Sequence, residues 1–102
     1  MATGPELLVH PAAAQEFLAA VDWYAERHPD IARRFRLEVE RAMLEIVEHP
    51  ERWPWLDDSH RKLLLRRFPY VIVYRQFGER LWVVAVAHAH RRPGYWRGRD
   101  ER

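Results

Sequence analysis

Cysteine is absent from this chain, and glycine occurs only four times in its 102 residues. Without cysteine, neither disulfide bonds nor thiolate metal sites can form, and a reducing cytoplasm is compatible with that composition. None of the glycines belongs to a phosphate-binding loop or a dinucleotide-binding pattern. A serine nucleophile elbow is missing as well, so the sequence does not point to nucleotide-dependent or serine-hydrolase chemistry.

Long hydrophobic segments are also missing, although 48% of the residues are hydrophobic, as in a globular protein. The longest apolar run, residues 81–87, is far shorter than the roughly 20 residues that span a bilayer. Residues 1–5 have neither the basic start nor the apolar core of a signal peptide. We therefore expect one cytoplasmic domain, residues 1–102, that has no membrane contact.

Lysine occurs only once, as Lys62, so the basic charge of the chain is nearly all arginine. The net charge is +2, but residues 1–50 have a balance of −4 and residues 51–102 a balance of +6. Arginine forms planar, bidentate hydrogen bonds with phosphate or carboxylate groups. The basic half could therefore face nucleic acid or an acidic protein surface. It could equally be a solvated sheet edge, where arginines discourage edge-to-edge pairing.

The N-terminal half contains a strand signal followed by a helix signal. Residues 6–10 (ELLVH) form a short apolar run that suits an edge strand, and Pro11 suits the first turn of a helix. Residues 12–27 repeat their apolar side chains at helical spacing. This first helix is expected to end before His28 and Pro29, because the residue before a proline avoids the helical region.

A second helix is predicted over residues 31–48, with Asp30 as its N-cap. Its apolar positions form one stripe, which consists of Ile31, Phe35, Val39, Ala42, Met43 and Ile46. Such a stripe is typical of a buried core face. The short link through His28 and Pro29 predicts that the two helices form an antiparallel hairpin.

Residues 49–59 (HPERWPWLDDS) are typical of a loop, since they contain two prolines and three adjacent small polar residues. Trp53 and Trp55 are unusual in such a segment. They could fold back onto the helical hairpin, or they could remain exposed and anchor a protein partner. We favour the first interpretation.

The C-terminal half contains three apolar runs, residues 63–68, 70–75 and 81–89, of which the last two are rich in β-branched and aromatic residues. Pro69 separates the first two runs, and a turn at Gly78 joins the last two into a hairpin. We therefore predict an α+β fold, in which an N-terminal strand and a helical hairpin precede a three-stranded antiparallel sheet. One face of that sheet is expected to pack on the helices and the other to be free.

Strict alternation predicts which side chains share a face of the sheet. In residues 70–75, one face is expected to carry Tyr70, Ile72 and Tyr74, and the other Val71, Val73 and Arg75. In residues 81–90, one face is expected to carry Leu81, Val83, Ala85, Ala87 and Ala89, and the other Trp82, Val84, Val86, His88 and His90. The polar tail, residues 91–102, is predicted to be a short turn or a fraying end.

Candidate chemistry is confined to a few side chains of the basic half. His88 and His90 are two apart on a strand, so their rings point the same way and could hold a metal or transfer a proton. A third ligand is not evident, although His60 or Asp57 could serve, and we predict no metal and no other cofactor. Arginines together with Tyr95 could instead clamp and cleave a phosphodiester without a metal.

Two segments of the sequence are similar to a known family. Residues 63–75 (LLLRRFPYVIVYR) and 85–96 (AVAHAHRRPGYW), together with the predicted order of elements, resemble the RelE/ParE superfamily of toxins from bacterial type II toxin–antitoxin modules. The resemblance covers nearly the whole chain. It implies the predicted fold and an antitoxin that wraps the toxin in a hetero-oligomer.

The superfamily has two main branches. One cleaves mRNA on the ribosome, and the other, the ParE branch, poisons DNA gyrase. The nuclease pattern implies an arginine at the position of Val71 and a basic residue at the position of Leu64, so the phosphate clamp is incomplete here. Residues 68–70 (FPY) resemble the ParE branch. The resemblance therefore favours a gyrase inhibitor.

Two other interpretations remain. If the chain is a ribosome-dependent endoribonuclease, the resemblance implies that catalysis rests on Arg91, Tyr95, His88 and Lys62. The chain could also be a non-toxic module that binds nucleic acid or protein. In a binding role, the candidate partner contacts are Trp53, Trp55, Trp82, Arg66, Arg67, Arg75 and Arg92.

Overall fold

Residues 5–99, which the computed structural model describes, fold into two helices and four strands. Their order is β1 (Glu6–Val9), α1 (Pro11–Arg27), α2 (Pro29–Glu48), β2 (His60–Leu64), β3 (Tyr70–Phe77) and β4 (Arg80–His88). The strands form one sheet in the order β1-β4-β3-β2. The predicted α+β fold is confirmed, and β1 is an edge strand as expected. It runs parallel to β4, whereas the other neighbouring pairs are antiparallel.

The link between the two helices is a single residue, His28. The second helix begins at Pro29, so the prediction of Asp30 as its N-cap is wrong. Proline suits the first helical position, because its N–H would have no partner there and its φ is already helical. Asp30 lies in the first turn instead, where its Oδ1 accepts a hydrogen bond of 3.0 Å from Arg33 Nη1. Neither described helix is long and apolar enough to cross a membrane.

The helices cover one face of the sheet and form with it a cluster that we call the helix-side core. Phe35 lies at its centre and is fully buried. Its ring lies 5.0–6.0 Å, between centroids, from the rings of Phe17, Tyr24, Phe68 and Tyr70. The other large buried members are Val39, Ile46, Leu63, Leu65, Ile72, Tyr74, Leu81, Val83 and Val86. The apolar stripe predicted for the second helix therefore faces the core, except at Ile31, which is not part of the cluster.

The strand predicted at residues 63–68 lies earlier in the chain, at β2, and most of the predicted run is a loop. Glu38 of α2 accepts hydrogen bonds from the backbone N–H groups of residues 66 and 67, at 2.5 and 3.2 Å, so these groups cannot join a strand ladder. Leu65 and Phe68 still pack on the helix-side core. The apolar run therefore reflects burial and not strand conformation.

A β-bulge changes the phase of β4. Val73 pairs with Ala85, but the next residue, Tyr74, pairs with Val83, so Val84 has no partner in β3. One extra residue in one strand turns the following side chains to the opposite face. Val84 still shares a face with Trp82, as predicted, but the faces predicted for the residues of β4 after Val84 are reversed. Val86 lies in the helix-side core, and Ala85 lies on the other face.

The second face of the sheet is not free, because the C-terminal segment packs on it. Residues 93–99 form consecutive turns, and Trp96 is only 3% exposed. Trp96 forms a second cluster with Val73, Val84, Ala85 and Ala87, which Val71, Trp82 and Tyr95 extend. We call this surface the tail face. The predicted turn is present, but up to residue 99 it is docked and not frayed; residues 100–102 lie outside the described part.

Candidate functional site

Glu16 of α1 fastens the C-terminal segment to the sheet. Its Oε2 accepts hydrogen bonds from the Tyr95 hydroxyl at 2.8 Å and from Arg99 Nη1 at 3.0 Å. Its Oε1 accepts one from the Val86 N–H at 3.0 Å, beyond the point where pairing with β1 stops at Val83. One carboxylate therefore links a helix, a strand edge and the tail.

Trp82, a predicted partner contact, is partly covered by the chain itself. Its indole Nε1 donates a hydrogen bond of 2.7 Å to the carbonyl oxygen of Arg99. The His10 ring meets its edge at 5.7 Å. The polar atom of this side chain is thus used inside the protein, and only part of the ring is accessible.

Tyr95 and Arg91, two of the predicted catalytic residues, lie together on the tail face. The Arg91 guanidinium carbon is 3.9 Å from the centre of the Tyr95 ring. Burial raises the pKa of Tyr95, and the hydrogen bond to Glu16 with its negative charge raises it further. The phenol is therefore a neutral group whose proton is directed at a carboxylate.

His88 lies on the opposite side of the sheet from Tyr95. It pairs with Tyr70 in the ladder, and its ring packs against the Tyr70 ring at 5.3 Å. Its Nδ1 accepts a hydrogen bond of 3.1 Å from the His90 backbone N–H. Within residues 5–99, no group of three or more His, Asp or Glu side chains could hold a metal ion.

Lys62 lies on β2 opposite Val73, on the same side of the sheet as the tail. Two residues further on, Leu64 pairs with Val71. Leu64 is 60% exposed, and Val71 is half-buried. The two positions where the nuclease pattern implies basic side chains are thus neighbours across two strands, and both are aliphatic.

The sequence named His60 and Asp57 only as possible third metal ligands, but the structure joins them to each other at the end of the tail face. His60 is 4% exposed, and its ring lies 4.5 Å from that of Trp96. Its Nδ1 is 3.0 Å from Asp57 Oδ1, and Arg97 Nη2 reaches Asp57 Oδ2 at 3.3 Å. The Asp-x-x-His spacing in the loop was the available signal, because an aspartate often accepts backbone N–H groups two or three residues later.

The hydrogen bonds to Asp57 control its ionisation. Burial acts to raise the pKa of this carboxyl group. The Ser59 and His60 backbone N–H groups and the His60 ring outweigh that effect, and they lower the pKa to about 2. Asp57 is therefore charged at neutral pH and orders the loop before β2.

A groove of about 640 Å³ separates α2 from β2 and the loop that follows β2. Trp53 forms part of its wall and packs on the helix-side core, as the favoured interpretation expected. Its indole Nε1 is buried and has no hydrogen-bond partner within the part of the chain that the structure describes. The remaining lining is mainly aliphatic and basic, and includes Ile31, Arg34, Leu37, Arg41, Leu63, Leu64, Arg66 and Arg67, with Glu38 and Glu45.

The other predicted partner contacts are distributed over the surface. Trp55 is 59% exposed, so the expectation that it folds back onto the helices is wrong for this residue. The Arg61 guanidinium carbon lies 3.7 Å from the centre of one of its rings. Arg75 stacks on Phe77 at 4.4 Å, and Arg92 is exposed beyond the end of β4. The structure therefore does not gather these residues into one site.

Comparison with known proteins assigns the chain to a family. Residues 7–93 match the family model described as the ParE toxin of the type II toxin–antitoxin system parDE. Toxin ParE2 of Mycobacterium tuberculosis, found in two strains, is 31% identical over 88 residues, which cover 85% of this chain and 84% of the relative.

A solved chain of the chromosomal ParDE TA system from P. aeruginosa has the same fold. The superposition gives a TM-score of 0.73 at 18% sequence identity, and covers 82% of this chain and 95% of that chain. The structural match agrees with the family model, whose residues include both helices and all strands except the first residue of β1. The chain therefore belongs to the ParE toxins of type II toxin–antitoxin systems.

Proposed function

We propose that this protein inhibits DNA gyrase and that a cognate antitoxin neutralises it. The family assignment supports a toxin of the ParE type. The observation that carries the choice of target is the Leu64–Val71 pair. A site that cleaves RNA needs positioned cations to stabilise the phosphate in the transition state. The Leu64–Val71 pair presents hydrocarbon instead. Such a surface suits contact with a protein target.

The state of Tyr95 also supports a role without RNA cleavage. A general acid or base must exchange its proton readily near neutral pH. The Tyr95 hydroxyl donates to Glu16, and its pKa is raised. His88, which could replace it, lies on the other side of the sheet.

The groove beside α2 is the proposed binding site of the antitoxin. Leu37 and Leu64 are 55% and 60% exposed along it, and four arginines line it. An amphipathic segment that carries acidic side chains would cover the apolar surface and pair with the arginines. The resulting complex would be a hetero-oligomer in the cytoplasm, where gyrase acts.

A DNA supercoiling assay tests this proposal. The purified chain should inhibit gyrase, and addition of the antitoxin should restore supercoiling. Two variants of similar exposure provide a matched comparison for the groove. Leu37→Asp, at a position 55% exposed in the groove lining, should weaken antitoxin binding, whereas Leu44→Asp, at a position 62% exposed on the same helix and outside the groove lining, should not.

Protein that arrests growth but leaves gyrase active would contradict the proposal. Ribosome-dependent mRNA cleavage would then be the function to measure. Because Arg91 stacks on Tyr95, Arg91→Ala would be the first variant to test for loss of cleavage with an intact fold.

A further inference from the structure

The tail face presents arginines whose flat sides are supported by aromatic rings. Arg91 lies 3.9 Å from the Tyr95 ring centre, and Arg97 lies 5.0 Å from a Trp96 ring centre. Both arginines are exposed. Stacking occupies the flat side of a guanidinium and leaves its N–H edge able to donate to an anion.

The rings that support these arginines are themselves held in place. The Tyr95 hydroxyl is bonded to Glu16, and Trp96 is buried against the sheet. Binding of an anion to these arginines therefore costs less side-chain conformational entropy than binding to arginines on a flexible tail. The C-terminal segment therefore holds its cationic groups in fixed positions.

The nearby carboxylates neutralise this surface only in part, because one of them pairs with Arg97 and none pairs with Arg91 among residues 5–99. The Glu16 carboxylate accepts hydrogen bonds from Tyr95 and Arg99. The Asp57 carboxylate lies within hydrogen-bond distance of His60 and Arg97. Among residues 5–99, Arg91 forms no ion pair. Lys62, on β2 of the same face, adds another cation. We call Lys62, Arg91 and Arg97 the cation row.

We infer that the cation row binds the phosphate backbone of duplex DNA. Guanidinium edges match phosphate oxygens in a bidentate geometry, and a polyanion complements a surface on which cations predominate. Single-stranded nucleic acid usually needs open aromatic faces for its bases. Here Trp96 is buried and Tyr95 carries an arginine, which favours backbone contact over base stacking.

This inference goes beyond gyrase inhibition and does not need it. Duplex DNA is the molecule on which gyrase acts, so a toxin with this surface would touch both the enzyme and its DNA. That last consequence rests on the proposed function. Binding to free DNA is a property of the chain alone and is measured separately.

The test is fluorescence anisotropy of the purified chain with a labelled 20-base-pair duplex of random sequence. The salt concentration is varied from 50 to 200 mM. We expect the affinity to fall steeply with salt, because each neutralised phosphate releases counterions. Arg91→Ala should weaken binding several-fold and reduce the slope of log affinity against log salt by about 1.

Matched variants separate a defined contact from a general effect of charge. Arg36→Ala removes the same charge from an exposed position on α2, on the other side of the sheet, and should leave the slope unchanged. Arg91→Lys keeps the charge without the planar fork and should bind with intermediate affinity. Thermal unfolding of each variant confirms that the fold is intact.

Three results would overturn the inference. They are no binding at 50 mM salt, equal losses in the Arg91 and Arg36 variants, or a single strand of the same length binding as tightly as the duplex. Gyrase inhibition without DNA binding would remove this inference and leave the proposed function standing. DNA binding without gyrase inhibition would remove the proposed function and leave this inference standing.

Discussion

The two faces of the sheet are stabilised in different ways. The helix-side core joins two helices to all four strands through many apolar contacts around the fully buried Phe35. The tail face is covered by a short segment that is held by the buried Trp96 and by a few hydrogen bonds, chiefly those of Glu16 and the bond from Trp82 to the Arg99 carbonyl. The helix-side core therefore stabilises the fold as a whole. The tail face binds a segment that we expect to detach while the rest of the fold stays intact.

The largest expected effect compares one aromatic residue from each face. Phe35→Ala should reduce the free energy of unfolding by about 4 kcal/mol, because the cavity is enclosed by helices and strands. Trp96→Ala should cost less, about 3 kcal/mol, because the short tail can shift into the space. Urea unfolding followed by circular dichroism measures both values.

Leu44→Ala is the control for these variants, since Leu44 is 62% exposed. It should change the free energy of unfolding by less than about 0.5 kcal/mol. If Trp96→Ala destabilised the protein more than Phe35→Ala, the tail would be part of the main core and the comparison would fail.

Removal of Glu16 should release the tail selectively. Glu16→Ala leaves three donors without their shared acceptor and should cost about 2–3 kcal/mol. Glu16→Gln keeps an acceptor but loses the charge that pairs with Arg99, and should cost about 1 kcal/mol. Hydrogen exchange should increase in residues 93–99, while α2 stays protected.

A different exchange pattern in the Glu16→Ala variant would contradict this prediction. A uniform rise in exchange across α2 and the tail would show that this carboxylate supports the whole fold. The conservative variant Tyr95→Phe, which removes only one of its hydrogen bonds, should fall between wild type and Glu16→Ala in tail exchange.

A pH dependence that arises from Asp57 is also expected. Its pKa in the folded protein, about 2, lies below the ordinary 3.8. The stabilisation is therefore fully present above pH 3.8 and is lost as the pH falls towards 2. Asp57→Asn should show a shallower loss of stability than wild type in urea titrations between pH 5 and pH 2.5. Parallel curves would show that another carboxylate controls the acid limb.

Local sequence was sufficient for the family and for every element except β2, which was predicted at residues 63–68 and lies at His60–Leu64. Helical spacing identified α1 and α2, and β-branched runs identified β3 and β4, because burial on one face imposes a period on the chain. The segments that resemble RelE/ParE toxins led to the ParE branch, which the comparisons confirm at the level of the family. Arg91 and Tyr95 were singled out together, and they do lie in contact.

Only the tertiary structure decided which face the residues of β4 take after Val84, and whether the tail is docked. Every residue of β4 from Leu81 to Ala87 is hydrophobic, so alternation within it carries no mark of the bulge at Val84. Glu16 lies 70 to 83 positions from the groups it binds, and no local pattern can reveal such a partner. Periodic burial can be read from the sequence, because it depends on residues that are close together in the chain. A shift of strand register or a contact with a distant carboxylate forms only when the chain has folded.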